Sequence, residues 1–204
     1  VPIEQTIETG LESFLQRVFR EAEQVRPEHI VLNIDTLGGR VDSALNIGKL
    51  IRESPVPVTA YIRGKAASAG SYIALNAKRI AMAPGSAIGA AAVVDVLGNR
   101  VTDSKTIAFW VSEMVAAAEL NGRKPQIAAG MVDDRLVVEM PEIGRTSEEG
   151  NLISLSAKEA LLVGYSDFES DSLDAVLAWI GADPGNAVWI EPSFAERLAG
   201  WLTQ

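Results

Sequence analysis

Few residues of this chain can do covalent chemistry. Its 204 residues include no cysteine and one histidine, His29. That removes thiol nucleophiles, disulfide frameworks and nearly every zinc site, since these draw on Cys and His. A serine hydroxyl remains as nucleophile, and it needs a proton acceptor. The run Gly64-Lys65-Ala66-Ala67-Ser68-Ala69-Gly70-Ser71 surrounds Ser68 with residues so small that its hydroxyl is approachable from several sides. The run follows a strand-like stretch and opens a helix-like one. The Ala69 N–H therefore falls near a helix N-terminus, where developing negative charge is stabilised. The same residues equally suit a plain cap, because serine is a favoured N-cap and small neighbours pack tightly.

The base is harder to assign. His29 stands between Pro27-Glu28 and the first apolar strand, at the end of a parallel strand opposite to the one where ligands bind. It reads as a surface residue, which leaves a Ser-Lys pair rather than a Ser-His-Asp triad. A lysine is a base only when neutral, and this takes desolvation or nearby positive charge. Lys105 begins a helical segment whose dipole disfavours its charge, with Ile107, Ala108 and Trp110 as apolar cover. Lys65, three residues before Ser68, competes with it but precedes the helix and points to solvent. Taken singly, each is also an ordinary surface ammonium. A further feature is Asp35-Thr36-Leu37-Gly38-Gly39, again directly after a strand. Paired glycines let backbone approach a ligand and expose N–H donors, or simply turn the chain.

These residues must be held by an ordered frame, and the hydrophobic pattern supplies one. Helical spacing runs over residues 9–24, 41–51, 67–76, 104–120, 156–163 and 172–180. Short apolar runs at residues 30–34, 55–62, 79–83, 133–140 and 152–155 read as strands, with a turn at 36–39. Strand and helix alternate with short connections, as in an α/β fold with a mostly parallel sheet flanked by helices. Phe194, Leu198, Trp201 and Leu202 share one face of a terminal helix over residues 192–202, expected to dock on the domain.

Lys+Arg 18 against Asp+Glu 27 gives a net charge of −9, and no basic cluster offers a phosphate-binding footprint, so no nucleic-acid partner is expected. No apolar run approaches the roughly 20 residues that span a bilayer, and the start lacks a secretory signal pattern. As given, the chain reads as soluble. It begins at Val1, so trimming upstream is expected.

Four runs together carry a family likeness: residues 34–42, with Asp35-Thr36-Leu37-Gly38-Gly39; residues 54–58; residues 64–75, with Ala66-Ala67-Ser68-Ala69-Gly70; and residues 80–90, with Pro84-Gly85-Ser86. They resemble the protease domain of the NfeD family, membrane-bound serine proteases of the ClpP/crotonase fold encoded beside stomatin- or flotillin-like proteins. The resemblance spans nearly the whole chain and is densest over residues 30–91. It implies a serine endopeptidase with Ser68 as nucleophile and Lys105 as base. The resemblance also selects Lys105 over Lys65, because the family's lysine precedes a helix that ends in a Gly-Arg pair, and here Gly122-Arg123 closes the helix that Lys105 opens. It implies backbone N–H groups of Gly39 and Ala69 as the oxyanion hole, and Leu37, Gly38 and Gly70 along the substrate, with no cofactor and no metal. The family's Asp-Thr-Pro-Gly-Gly reads here with Leu37 for proline, which frees φ but keeps both glycines. A slightly less rigid strand is expected, not lost activity. Residues 92–100 match weakly, so the pocket lining there is left open.

By the same resemblance the partner is an apolar stretch of a stomatin- or flotillin-like membrane protein, and the chain forms a homo-oligomer, a dimer or larger. Residues 1–190 are the protease domain, and residues 191–204 gain a second reading as a juxtamembrane segment. The domain then is the extracytoplasmic, water-facing piece of a cell-membrane protein. A non-proteolytic scaffold module of a membrane complex is the alternative. A crotonase-like acyl-CoA enzyme is disfavoured, because the sequence offers no basic or adenine-stacking pocket for the nucleotide.

Overall fold

The computed structural model describes residues 1–95 and 97–202, with side chains through Ala199. Its elements in chain order are β1 (Pro2–Ile7), α1 (Thr9–Val25), β2 (Ile30–Gly39), α2 (Val41–Glu53), β3 (Val58–Ala67), α3 (Ala69–Asn76), β4 (Arg79–Met82), β5 (Ala87–Gly89), α4 (Ser104–Leu120), α5 (Pro125–Val132), β6 (Glu139–Met140), β7 (Arg145–Thr146), β8 (Ser154–Ser156), α6 (Ala157–Val163), β9 (Phe168–Glu169), α7 (Leu173–Trp179) and α8 (Phe194–Leu202).

Strands β1-β2-β3-β4-β9 lie side by side, all parallel. The long strand β3 changes neighbour along its length: Thr59 to Ile62 pair with β4, whereas Lys65 to Ala67 pair with β5, which in turn pairs antiparallel with β8. The sheet is thus mostly parallel and flanked by helices. Because side chains alternate across a strand, Ile34, Ala60 and Ile62 enter the main core with α1 to α5, while Tyr61 and Ala81 join Val176 of α7 in a smaller cluster. Phe168 and Trp179 stack there at 5.0 Å.

Helix α1 shows why the pattern was readable. Leu11, Phe14, Leu15, Val18 and Ala22 are buried on one face, and the Glu8 carboxylate caps its start by accepting the Gly10 and Leu11 N–H groups. Beside the short strands β5 and β9, which lie outside the expected ones, three differences from expectation stand out. Strand β1 escapes the pattern because only Ile3 and Ile7 reach the core, with Glu4, Gln5 and Thr6 between them. Its pairing explains the second difference: residues 36–39 are the end of β2, not a turn, since Thr6 and Ile7 pair with Gly38 and Gly39. The third lies at residues 133–140, where Val138 and Met140 are buried but only Glu139 and Met140 form strand, and a helix, α5, opened by Pro125 at its first turn, precedes them.

The terminal helix α8 rests on α1 through Arg17, whose guanidinium pairs with Glu196 (2.8 Å) and donates to the Glu191 carbonyl (3.1 Å). That hydrogen-bonded pair draws the Glu196 carboxyl down to about 2. Phe194 and Leu198 remain exposed, so among the described residues α8 docks on α1 through polar contacts. The side chains of Trp201 and Leu202 lie outside the described residues. Among the described residues, no helix is long and apolar enough to cross a membrane.

Just past α4, the buried Arg123 donates to the carbonyls of Tyr165 (3.0 Å) and Ala77 (3.3 Å) and pairs with Asp167 (3.5 Å). It fastens the far ends of α3 and α4 together. Arg123→Met should cost about 3 kcal/mol in urea unfolding, since it strands buried carbonyls and leaves Asp167 unpaired.

Candidate active site

Ser68 is the one residue between the end of β3 and the start of α3. Its backbone is held at φ 54°, ψ −127°, a conformation that costs a side-chain-bearing residue about 1–3 kcal/mol. Neighbouring bonds fix it there. The Ser68 N–H donates to the Gly89 carbonyl (3.1 Å), and the Ser68 carbonyl accepts the Ser71 N–H (3.0 Å) and hydroxyl (2.6 Å). Although Ser68 holds the N-cap position, its side chain makes no cap hydrogen bond. Its half-buried hydroxyl has no partner among the described residues, which argues against a capping role. A strained serine at a strand-to-helix junction, with a free hydroxyl beside the first N–H groups of a helix, has the placement that a nucleophile needs.

Glycines bring the second strand against it. A Cβ on Gly38 would lie 2.5 Å from Ser68 Cβ and 3.0 Å from its Oγ, and one on Gly70 would lie 2.6 Å from Thr36 Cγ2. Gly38, at φ +107°, therefore touches the serine side chain directly. Its own N–H donates to Thr36 Oγ1 (3.0 Å), and the Thr36 hydroxyl in turn donates to the Gln5 carbonyl. Gly39 passes so near β1 that a Cβ there would meet the Ile7 carbonyl oxygen at 2.1 Å, yet it is the Arg40 N–H that bonds this carbonyl (2.8 Å).

Lys105 is the second residue of α4 and is exposed; among the described residues no hydrogen bond joins it to Ser68. Its helix nevertheless packs on the serine's helix. Trp110 is buried, donates its indole N–H to the Ala91 carbonyl (2.9 Å) and lies 5.0 Å from the Tyr72 ring. Ile107 is partly buried, but Ala108 faces solvent instead of covering the lysine. Lys65 is exposed on β3, where its N–H donates to Asp35 Oδ1 (3.0 Å). His29 precedes β2, whose first residue, Ile30, lies about 26 Å from Gly38 along the strand. Among the described residues, no group of three His, Cys, Asp or Glu side chains could hold a metal.

Beside Gly38 opens a cleft of about 480 Å³ lined by Gln5, Thr6, Asp35, Thr36, Leu37 and Lys65, among others. Leu37 stands 73% exposed at its edge. The contribution of β1 was not foreseen. Gln5 sits at φ 64°, where the register of β1 slips against β2, and nothing in a polar triplet announces that bulge. Val94 forms an antiparallel bridge with Arg100, and the Val101 N–H bonds the Val93 carbonyl (3.0 Å).

Comparison with known proteins bears on the family and the fold. A family model described as the N-terminal domain of NfeD1b matches residues 1–188. Membrane protein NfeD1b of Bacillus subtilis (strain 168) is 42% identical over 203 residues, covering 100% of this chain and 45% of that protein. Membrane-bound protease PH1510 of Pyrococcus horikoshii is 39% identical over 191 residues, 89% of this chain and 43% of that protein. The chain thus spans less than half the length of these curated relatives. The 1510-N membrane-bound stomatin-specific protease, solved as a lysine-to-alanine mutant with a substrate peptide, superposes with a TM-score of 0.78 at 26% identity, covering 98% of this chain and 94% of that one. ClpP1 from Listeria monocytogenes superposes at 0.64 with 20% identity, over 86% of this chain and 93% of that one, so the fold is ClpP-like.

Proposed function

Because the chain belongs to the NfeD1b N-terminal domain family, we propose that it is a serine endopeptidase whose nucleophile is Ser68 and whose base is Lys105. The observation that carries this reading is the strained Ser68, its hydroxyl uncommitted, held against Gly38 at the mouth of a helix.

In the proposed reaction Ser68 Oγ attacks a peptide carbonyl while the neutral Lys105 amine takes its proton. The carbonyl oxygen, now negative, is held by the N–H groups of Gly39 and Ala69. Gly38 is not a donor here, its N–H being committed to Thr36. Collapse breaks the C–N bond, and the leaving amine receives the proton from Lys105. Water, deprotonated by the same lysine, then hydrolyses the acyl-serine and restores both groups. Lys105 is open to water without substrate. A peptide laid along β2, across Leu37 and Gly38 and towards Gly70, would exclude that water, as a lysine base requires.

The substrate is an apolar segment of a stomatin- or flotillin-like membrane partner. The exposed Leu37 at the cleft edge suits it, and the 1510-N relative is described as stomatin-specific. Since the relatives are named membrane proteins, the domain is the water-facing part of a membrane protease. A fluorophosphonate probe tests the nucleophile: mass spectrometry should place the adduct on Ser68. Absence of labelling, together with tight binding of a partner's apolar segment and no turnover, would instead favour a scaffold module.

A further inference from the structure

Three helices begin at the three chemical parts of the proposed site. Helix α2 starts two residues after Gly39, α3 one residue after Ser68, and α4 one residue before Lys105. The bodies of these helices meet at one phenol. Tyr72 of α3 is fully buried. Its hydroxyl accepts a hydrogen bond from Arg52 of α2 (3.0 Å) and donates one to Glu113 Oε2 of α4 (3.1 Å). Burial pushes the phenol up, so it stays a neutral donor. Arg52 also donates to Asn76 of α3, whose amide donates back to the Tyr72 carbonyl (2.8 Å). Gly48 makes the junction possible, since a Cβ there would lie 2.6 Å from Tyr72 Cε1.

We infer that Tyr72 is a positioning residue for peptide cleavage: its hydroxyl, bridging Arg52 and Glu113, sets the relative placement of the helix starts that carry Gly39, Ser68 and Lys105. The inference rests on the Ser68–Lys105 reading. Its physical basis is leverage. At 1.5 Å per residue, Tyr72 lies about 6 Å along the helix from Ser68, and Glu113 about 12 Å from Lys105. The first turns of α4 have little else to hold them, because residues 104–106, 108 and 109 are all exposed. What fixes Lys105 is therefore the packing of Ile107 and Trp110, the Trp110 indole bond to Ala91 and, one turn on, the bond of Glu113 to Tyr72. The Trp110 indole bonds to Ala91, outside α3 (2.9 Å), so near the start of α4 the directional bond that ties it to α3 is the one from Tyr72 to Glu113. A displacement of 1 Å at a reacting group can cost about 100-fold in rate.

The test is cleavage of a fluorogenic peptide carrying an apolar stretch, with kcat referred to the folded fraction seen by circular dichroism. Tyr72→Phe keeps the ring on Trp110 and drops only the hydroxyl; it should lower kcat about tenfold and leave KM within about twofold. Glu113→Ala should do the same, whereas Glu113→Gln, whose amide oxygen still accepts, should recover most of the loss. The rate of fluorophosphonate labelling at Ser68 should fall in step with kcat. Unchanged kcat in both Tyr72→Phe and Glu113→Ala, or a change confined to KM, while Lys105→Ala is inactive, overturns the inference and leaves the Ser-Lys pair standing. Full activity in Lys105→Ala overturns the pair and the inference with it.

Discussion

Ser68→Ala should abolish peptide cleavage while leaving the fold as it is. The two halves of that expectation have separate grounds. The Ser68 side chain makes no cap bond and has no partner among the described residues, and its three bonds are all made by the main chain. Alanine carries a Cβ as serine does, so the strain at φ 54° is unchanged, and unfolding should shift by less than about 0.5 kcal/mol. The rate, however, should fall by about six orders of magnitude, the scale of losing a serine nucleophile or its base. Lys105→Ala should fall as far. Lys105 is exposed in the first turn of α4, so its loss cannot act by unfolding the domain. Residues that work as a unit are not additive, and the double variant should be no slower than either single one. Peptide turnover measured beside urea unfolding decides it: full activity in either single variant removes that residue from the mechanism.

How far the sequence spoke depended on what kind of constraint each residue obeys. Helix α1 and helix α4 were legible because burial recurs every third or fourth residue, and α4 spans residues 104–120 as expected. Ser68 was legible as a small-residue junction, but its positive φ was not, since that arises from bonds to Gly89 and Ser71 that no local pattern encodes. The paired glycines were visible, yet their setting was misread as a turn. They lie within a strand because a polar-looking β1 pairs with them, and pairing between distant segments leaves no periodic mark on a strand with two buried residues. Lys105 could be placed at a helix start, whereas its exposure could not, because Ala108 turns outward instead of covering it. The junction at Tyr72 was silent for the same reason as β1: it joins residues 52, 72 and 113, each unremarkable alone.

Gly38→Ala should lower kcat about 100-fold, the scale of displacing a reacting group by an ångström, and should cost about 2 kcal/mol of stability. Two penalties act at this position and can be separated. One is conformational: φ +107° suits glycine and strains any residue with a Cβ. The other is contact, since the new Cβ would lie 2.5 Å from Ser68 Cβ and 3.1 Å from the Ala67 carbonyl oxygen. Neither neighbour can retreat cheaply. Ser68 is pinned through its N–H and carbonyl, and Ala67 is paired with β5. Rotating the serine hydroxyl leaves Ser68 Cβ where it is, so relief must come from lifting β2 away, which parts Gly39 from the serine. Gly144→Ala supplies the comparison, because that glycine has φ +60° with nothing within 4 Å of a Cβ. It should lose about 1 kcal/mol from the left-handed backbone alone and keep its kcat. If Gly38→Ala behaves like Gly144→Ala, stability falling while turnover per folded molecule holds, then the close approach of β2 to Ser68 is packing and not part of the catalytic arrangement.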